Sequence, residues 1–210
     1  MKLTTIESVS PLIFDISYQG DFTLVCVNEK NPKAVRVWKE SLEDLRRFKC
    51  SSEFSAQRNN ITAIAVSPNN SLYATVSDGK NIHLSRMDGE NINDLYRGHS
   101  EAGIRAMAFS PNGSLVAILS SNGTCHVFEI SYKFSYLYSH PLSGLYDNFK
   151  CGEAKYLAFS SDSTKLIVAS ESEVELHSVF LDKEKSTLKL TKVGNYNFVD
   201  DKREGSMFVK

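Results

Sequence analysis

The sequence predicts an all-β chain made of about four copies of one strand-rich unit, and three observations carry that expectation. The first is internal repetition. Three segments align by eye: ITAIAVSPNNSLYATVSD from Ile61, IRAMAFSPNGSLVAILSS from Ile104 and AKYLAFSSDSTKLIVASE from Ala154; a weaker fourth, LIFDISYQGDFTLVCVNE, begins at Leu12. Their shared serines, Ser17, Ser67, Ser110 and Ser160, are 50, 43 and 50 residues apart, which is the length of a β-propeller blade. The second is period-two alternation of apolar residues inside each copy. The third is that no stretch carries an amphipathic helical pattern of even three turns.

Within a copy the elements follow one order. An alternating strand, such as Ile61, Ala63, Ala65 or Ile104, Ala106, Ala108, runs up to the shared serine. A tight turn rich in Pro, Asn, Gly and Asp follows (SPNN, SPNG, SSDS), because these residues close turns locally. A second strand alternates again, as in Leu115, Ala117 and Leu119, and a polar turn (SDGK, SSNG, SESE) leads to a third, NIHLSR, TCHVFEI or VELHSVF. The small alanines suit inner strands crowded around a central axis. These are WD-repeat-type β-propeller blades, expected at about 11–54, 55–97, 98–150 and 151–198, with 199–210 as a solvated tail of mixed charge. WD-type rings usually need roughly six to eight blades, so four make a partial or truncated ring with uncovered faces. A fragment, a truncated gene product and an arc completed by a partner all fit.

Composition narrows the function. The chain has 210 residues, 41% of them hydrophobic, enough for a substantial core. Its 24 basic and 25 acidic residues nearly cancel, so nothing advertises nucleic acid as a partner and any anion site must be local. Cys26, Cys50, Cys125 and Cys151 lie far apart without metal-ligand spacing; they read as small core residues in a reducing compartment. The N-terminus lacks the apolar run of a signal peptide, and no apolar run approaches the roughly 18 residues of a membrane span. A soluble, intracellular protein is expected. Sequons at Asn69, Asn112 and Asn122 fall where turns are expected. No cofactor is implied, and no metal: the five histidines have no ligand spacing. No G-x-S-x-G elbow, P-loop or H-E-x-x-H occurs, so an enzyme is not expected.

The segment LYRGHSEAGIRAMAFSPNGSLVAILSSNGTCHVFEI, residues 95–130, sharpens the picture. Gly98 stands eleven residues before Phe109, one more than the usual WD spacing. This segment resembles the PROPPIN family, seven-bladed propellers that bind membrane phosphoinositides and carry Phe-Arg-Arg-Gly at the corresponding place. SAQRNNITAIAVSPNNSLYATVSDGKNI resembles that family's preceding blade, and AKYLAFSSDSTKLIVASESEVELHSVFLDKEKSTLKL its closing blade, so the likeness covers about residues 55–198.

The resemblance implies two head-group pockets, one on each side of the paired arginines. Here the motif reads Leu95-Tyr96-Arg97-Gly98. With Tyr96 at the first arginine position, Gln57 at the family's histidine and Leu84 in the following strand, the first pocket is expected to be dead. The second keeps Arg97, His99, Ser121, Thr124 and His126 as the expected head-group ligands, with Ser120 beside them. Arginine suits such a role because its planar fork donates two parallel hydrogen bonds to a phosphate. A membrane-inserting loop in the same blade is implied as well. The aromatic stretch 131–149 offers Tyr136, Tyr138, Leu142 and Tyr146 as membrane contacts, since tyrosine favours the bilayer interface.

The resemblance therefore implies a phosphoinositide-binding propeller, of the phosphatidylinositol 3-phosphate type, acting in autophagy or endosomal traffic. It would be cytoplasmic, peripherally associated with endosomal or pre-autophagosomal membranes, with protein partners on its rim or face. Ordinary structural roles fit the same residues: a rim salt bridge for Arg97, packing for His126, turn chemistry for Ser121 and Thr124, and an outer strand for 134–138. The alternative function is a WD-repeat scaffold for protein partners with no lipid site.

Overall fold

In the computed structural model the described residues are 11–17, 23–28, 31–40, 48–54, 59–77, 81–88, 91–97, 103–130, 142–182, 184 and 187–197. They form four four-stranded antiparallel sheets, each built from strands consecutive in sequence. The first comprises β1 (Pro11–Ser17), β2 (Thr23–Asn28), β3 (Asn31–Glu40) and β4 (Phe48–Phe54). The second comprises β5 (Ile61–Val66), β6 (Leu72–Ser77), β7 (Asn81–Arg86) and β8 (Asn91–Arg97). In the third are β9 (Ile104–Phe109), β10 (Leu115–Ser120), β11 (Thr124–Ile130) and β12 (Leu142–Lys150); in the fourth, β13 (Tyr156–Phe159), β14 (Lys165–Ala169), β15 (Glu173–Asp182) and β16 (Thr187–Asn197). The first strand of each sheet neighbours the first strand of the next. The fold is a run of β-propeller blades, all β as the repeat predicts.

The shared serines act as turn clamps. Ser110 N–H donates to Leu115 O at 2.9 Å, and Leu115 N–H donates back to Ser110 Oγ at 2.9 Å. The Ser110 hydroxyl itself donates to Asn112 Oδ1 at 2.7 Å. Ser67 repeats this set with Leu72 and Asn69, and Ser160 with Lys165 and Asp162. The residue after each Asn or Asp turns left-handed: Asn70 at φ 55°, Gly113 at φ 69°, Ser163 at φ 62°. Asn69 and Asn112 are thus consumed inside their turns. Ser17 ends β1 at the matching place but reaches across sheets, its hydroxyl donating to Pro68 O at 2.8 Å.

Three apolar layers hold the sheets together, one per junction. Val25, Val27, Val35 and Val37 of the first sheet pack on Ile61, Val66 and Tyr73 of the second. Val76, Ile82 and Leu84 meet Phe109, Val116, Ile118 and Ile130 of the third. Leu115, Ala117, Leu119, Cys125 and Val127 meet Leu166, Val168 and Leu188 of the fourth. Part-buried polar bonds add register to these layers: Asp15 accepts Val66 N–H at 2.8 Å, Ser163 Oγ accepts Asn112 N–H at 3.1 Å, and Asp147 accepts Leu190 N–H at 2.7 Å. Burial holds the Asp15 carboxyl above the usual carboxylate range, against the pull of that bond. Cys125 is a core residue, as expected, and Cys151 is partly so; burial raises both thiols, Cys151 to about 11. Cys50 corrects the reading of the cysteines as core: it is exposed on β4.

Candidate functional site

Strand direction sets the stage. In every sheet the first and third strands begin, and the second and fourth end, on one side of the arc, called here the top. The C-terminal end of β8, the β10–β11 turn, the start of β11 and the end of β12 all lie there. Arg97, Ser121, Thr124 and Lys150 are therefore brought to one face by topology.

Alternation then decides which side of the third sheet each residue occupies. Cys125 and Val127 pack toward the fourth sheet, Phe128 and Ile130 toward the second. Thr124 and His126 share the latter side, and so do their cross-strand partners on β12, Lys150 and Asn148. His126 is half-buried and stacks on Phe128, ring centroids 6.4 Å apart and planes 16° apart. Burial, with the Lys150 charge adding to it, holds its imidazole below the ordinary value of 6.5.

The polar atoms at this spot do not all satisfy one another. Lys150 Nζ donates to Thr124 Oγ1 at 2.7 Å. Ser120, the last residue of β10 and only 1% exposed, has a hydroxyl with no hydrogen-bond partner among the described residues. A buried hydroxyl left unpaired costs about 1–3 kcal/mol, and such an atom marks a place where a ligand or water completes the set. Ser120, Thr124, His126 and Lys150 together offer two hydroxyls, an imidazole and a mobile ammonium, which is the donor set an anion needs.

The sequence-predicted residues fare unevenly against this geometry. Thr124 and His126 stand on the same side of β11. Ser121 is exposed in the β10–β11 turn, its N–H donating to Gly103 O at 2.6 Å; the serine on the inward side is Ser120. Arg97 ends β8 opposite Asn81, while Tyr96 stands opposite Ile82, a residue of the core shared with the third sheet. The side chains of Tyr96 and Arg97 lie outside the described residues, and the described cation at Thr124 is Lys150. His99 lies outside the described residues. Leu84 is fully buried core, and Gln57 lies outside the described residues. On the opposite side of the second sheet from Leu84, Ser77 Oγ and His83 Nε2 pair with each other at 3.3 Å.

The expected membrane contacts also divide. Leu142 and Tyr146 belong to β12, opposite Ile130 and Phe128. Their backbones are rungs of the sheet ladder, and their side chains lie outside the described residues. Tyr136 and Tyr138 lie outside the described residues. Lys150 was missed by sequence reasoning; its one signal was being the first basic residue after the aromatic stretch, at a strand end.

Among the described residues no group of three or more His, Cys, Asp and Glu side chains could hold a metal, and no helix is long and apolar enough to cross a membrane.

Comparison with known proteins agrees with the architecture. The anaphase-promoting complex subunit 4 WD40 domain family matches residues 64–140, less than half of the chain. Comparison with curated proteins gives no match. Among solved structures, Kluyveromyces lactis Hsv2 with its complete loop 6CD is similar at 20% identity and a TM-score of 0.69, covering 88% of this chain and 61% of its own. Kluyveromyces marxianus Hsv2 is similar at 23% identity and a TM-score of 0.63, covering 88% and 58%. KlAtg21 in complex with the coiled coil of AgAtg16 is similar at 19% identity and 0.64, covering 89% and 57%. The chain thus spans about three fifths of the length of these structures. The PROPPIN resemblance read from the sequence is matched in fold by structures of that family.

Proposed function

We propose that this chain is a PROPPIN-like, non-enzymatic propeller arc that binds a phosphoinositide head group, of the phosphatidylinositol 3-phosphate type, on the top rim of its third blade. The reading places it peripherally on endosomal or pre-autophagosomal membranes. One observation carries it: the buried Ser120 hydroxyl, without a hydrogen-bond partner among the described residues, ends β10 at the turn that leads into Thr124, whose hydroxyl holds Lys150. A phosphate monoester presents several acceptor oxygens at once. Lys150 can turn its remaining ammonium protons to it without leaving Thr124, while Ser120 donates from below. Arg97, at the end of β8 on the same face, supplies a second cation from the neighbouring blade, Ser121 stands in the β10–β11 turn, and the family resemblance adds His99 as a further ligand. Tyr136 and Tyr138 have the chemistry of residues that favour the bilayer interface.

A rim site of this size binds weakly alone, and stable membrane residence takes a second contact. Protein partners supply another kind. The coiled-coil complex formed by KlAtg21 favours a scaffold role on the same arc, by analogy of fold. Liposome flotation with and without phosphatidylinositol 3-phosphate tests the lipid reading. Binding that depends on the lipid supports it, and equal recovery with neutral vesicles overturns it in favour of the scaffold.

A further inference from the structure

The outer strand of the third blade is bonded on one side only: within its sheet, β12 neighbours β11 alone. Lys150 is the last residue of that strand. The place of its ammonium at Thr124 therefore depends on whatever fixes β12 from the other edge. Asp147 supplies such a hold. It stands opposite Val127 on β11, a residue of the apolar layer shared with the fourth sheet, and alternation puts its side chain on that same side.

Both oxygens of this half-buried carboxylate are engaged. Oδ2 accepts the N–H of Leu190 on β16 at 2.7 Å, across 43 residues of chain, and Oδ1 accepts the N–H of Asn148 in its own strand at 2.8 Å. Leu190 pairs with Val179, and both pack against the layer of Leu119, Cys125 and Val127. A charged acceptor makes the stronger kind of hydrogen bond, and an apolar neighbour limits its screening by salt. On the other side of β12, Asn148 and Lys150 stand opposite His126 and Thr124. The carboxylate thus grips one side of the strand while the polar groups of the site occupy the other.

We propose that Asp147 is a positioning residue of the head-group site, fixing β12 to β16 so that Lys150 stays within reach of Thr124 and of a phosphate. The inference rests on the third-blade site proposed above. Asp147 itself meets no ligand, because its side chain lies on the far side of the sheet. Without it the strand end is held by the β11 ladder alone, whose register is already broken between Phe128 and Ile130.

NMR titration of His126, assigned with His126→Gln, reads this without lipid, because the Lys150 charge reaches that imidazole and lowers it. Asp147→Ala should raise the His126 midpoint, in the same direction as Lys150→Ala. Loss of the carboxylate charge by itself would move the midpoint downward instead. In the Lys150→Ala background, Asp147→Ala should add nothing. A general loosening of the blade would relieve the burial of His126 and raise the midpoint in both backgrounds. Asp147→Asn keeps an oxygen for Leu190 N–H and should give a smaller rise of the same sign. In flotation with phosphatidylinositol 3-phosphate liposomes, Asp147→Ala should lose recovery by the same factor as Lys150→Ala, and the double variant should lose no more. An unchanged or lowered midpoint in Asp147→Ala overturns the proposal, as does a rise that persists without Lys150. If the titrations come out as expected while Lys150→Ala floats like wild type, the positioning role stands and the lipid reading falls.

Discussion

Lys150 Nζ donates to Thr124 Oγ1 at 2.7 Å across the β11–β12 ladder, although 26 residues separate them. The pair joins the last residue of the blade's outer strand to the first of its neighbour. It holds the ammonium at the end of the sheet, where its charge acts on the half-buried His126. A cation parked on a neutral hydroxyl gains little; the same cation on a phosphate gains a charge-assisted bond.

Lys150 and Arg97 are therefore expected to divide the binding energy. Losing a charge-assisted hydrogen bond costs about 1.5–3 kcal/mol, roughly tenfold to a hundredfold in affinity. Lys150→Ala should lower recovery with phosphatidylinositol 3-phosphate liposomes by that order, with little change in the melting transition, since Lys150 is an exposed residue. Arg97→Ala should add a further loss in the double variant, and Arg97→Lys should restore part of it, keeping the charge without the fork. If Lys150→Ala floats like wild type, the third-blade site is not the lipid site.

His126 should make binding pH-dependent. In the free chain burial and Lys150 hold its imidazole below 6.5, so the folded state keeps it neutral where the unfolded chain takes up a proton. Stability without ligand should fall as pH drops below that ordinary value. A bound phosphate reverses the local charge balance and favours the imidazolium, so head-group affinity should rise on acidification, by at most about tenfold per pH unit for one linked proton. The phosphate's own second ionisation lies near pH 6, and His126→Gln experiences it equally. Calorimetry of both proteins with a soluble short-chain phosphoinositide between pH 7.5 and 5.5 isolates the histidine as the difference. Parallel pH profiles would remove His126 from the site.

The turn beneath the site has no room for a side chain at Gly123. Its φ is +72°, and a Cβ there would stand 2.2 Å from Gly152 O. Gly152 is also left-handed, at φ +59°, but faces open space. Gly152→Ala should cost only the conformational penalty of about 1–2 kcal/mol, a few degrees in melting temperature for a chain of this size. Gly123→Ala should cost clearly more and abolish lipid recovery, because β11 and the end of β12 must shift. Equal melting temperatures for the two variants would refute that close approach.

Much of the blade is local and was open to sequence reasoning. The serine clamps show why: Ser67, Ser110 and Ser160 bond within six residues, through backbone and an Asn or Asp two places on. Motifs closed over so short a span leave a spacing that can be read. Thr124 and His126 were legible as part of one alternating strand. Ser120 rather than Ser121 was harder: both are turn serines by composition, and the turn geometry alone decides which one continues the inward row of Val116 and Ile118. Leu142 and Tyr146 look like an exposed aromatic stretch until their pairing with Ile130 and Phe128 assigns them to the outer strand.

By itself the amino-acid sequence determined the all-β class, the repeat of 43 to 50 residues, the strand–turn–strand order and the apolar alternation of the first two strands in each copy, because alternation and turn chemistry act between near neighbours. Tertiary structure alone decided that Lys150 meets Thr124 and that Phe14 and Ile16 lie uncovered. Those outcomes depend on the register of β12 on β11 and on which blade stands next to which. A one-residue slip in register sends every side chain to the other side of a sheet, and pairing across dozens of residues leaves no local mark from which that slip could be read.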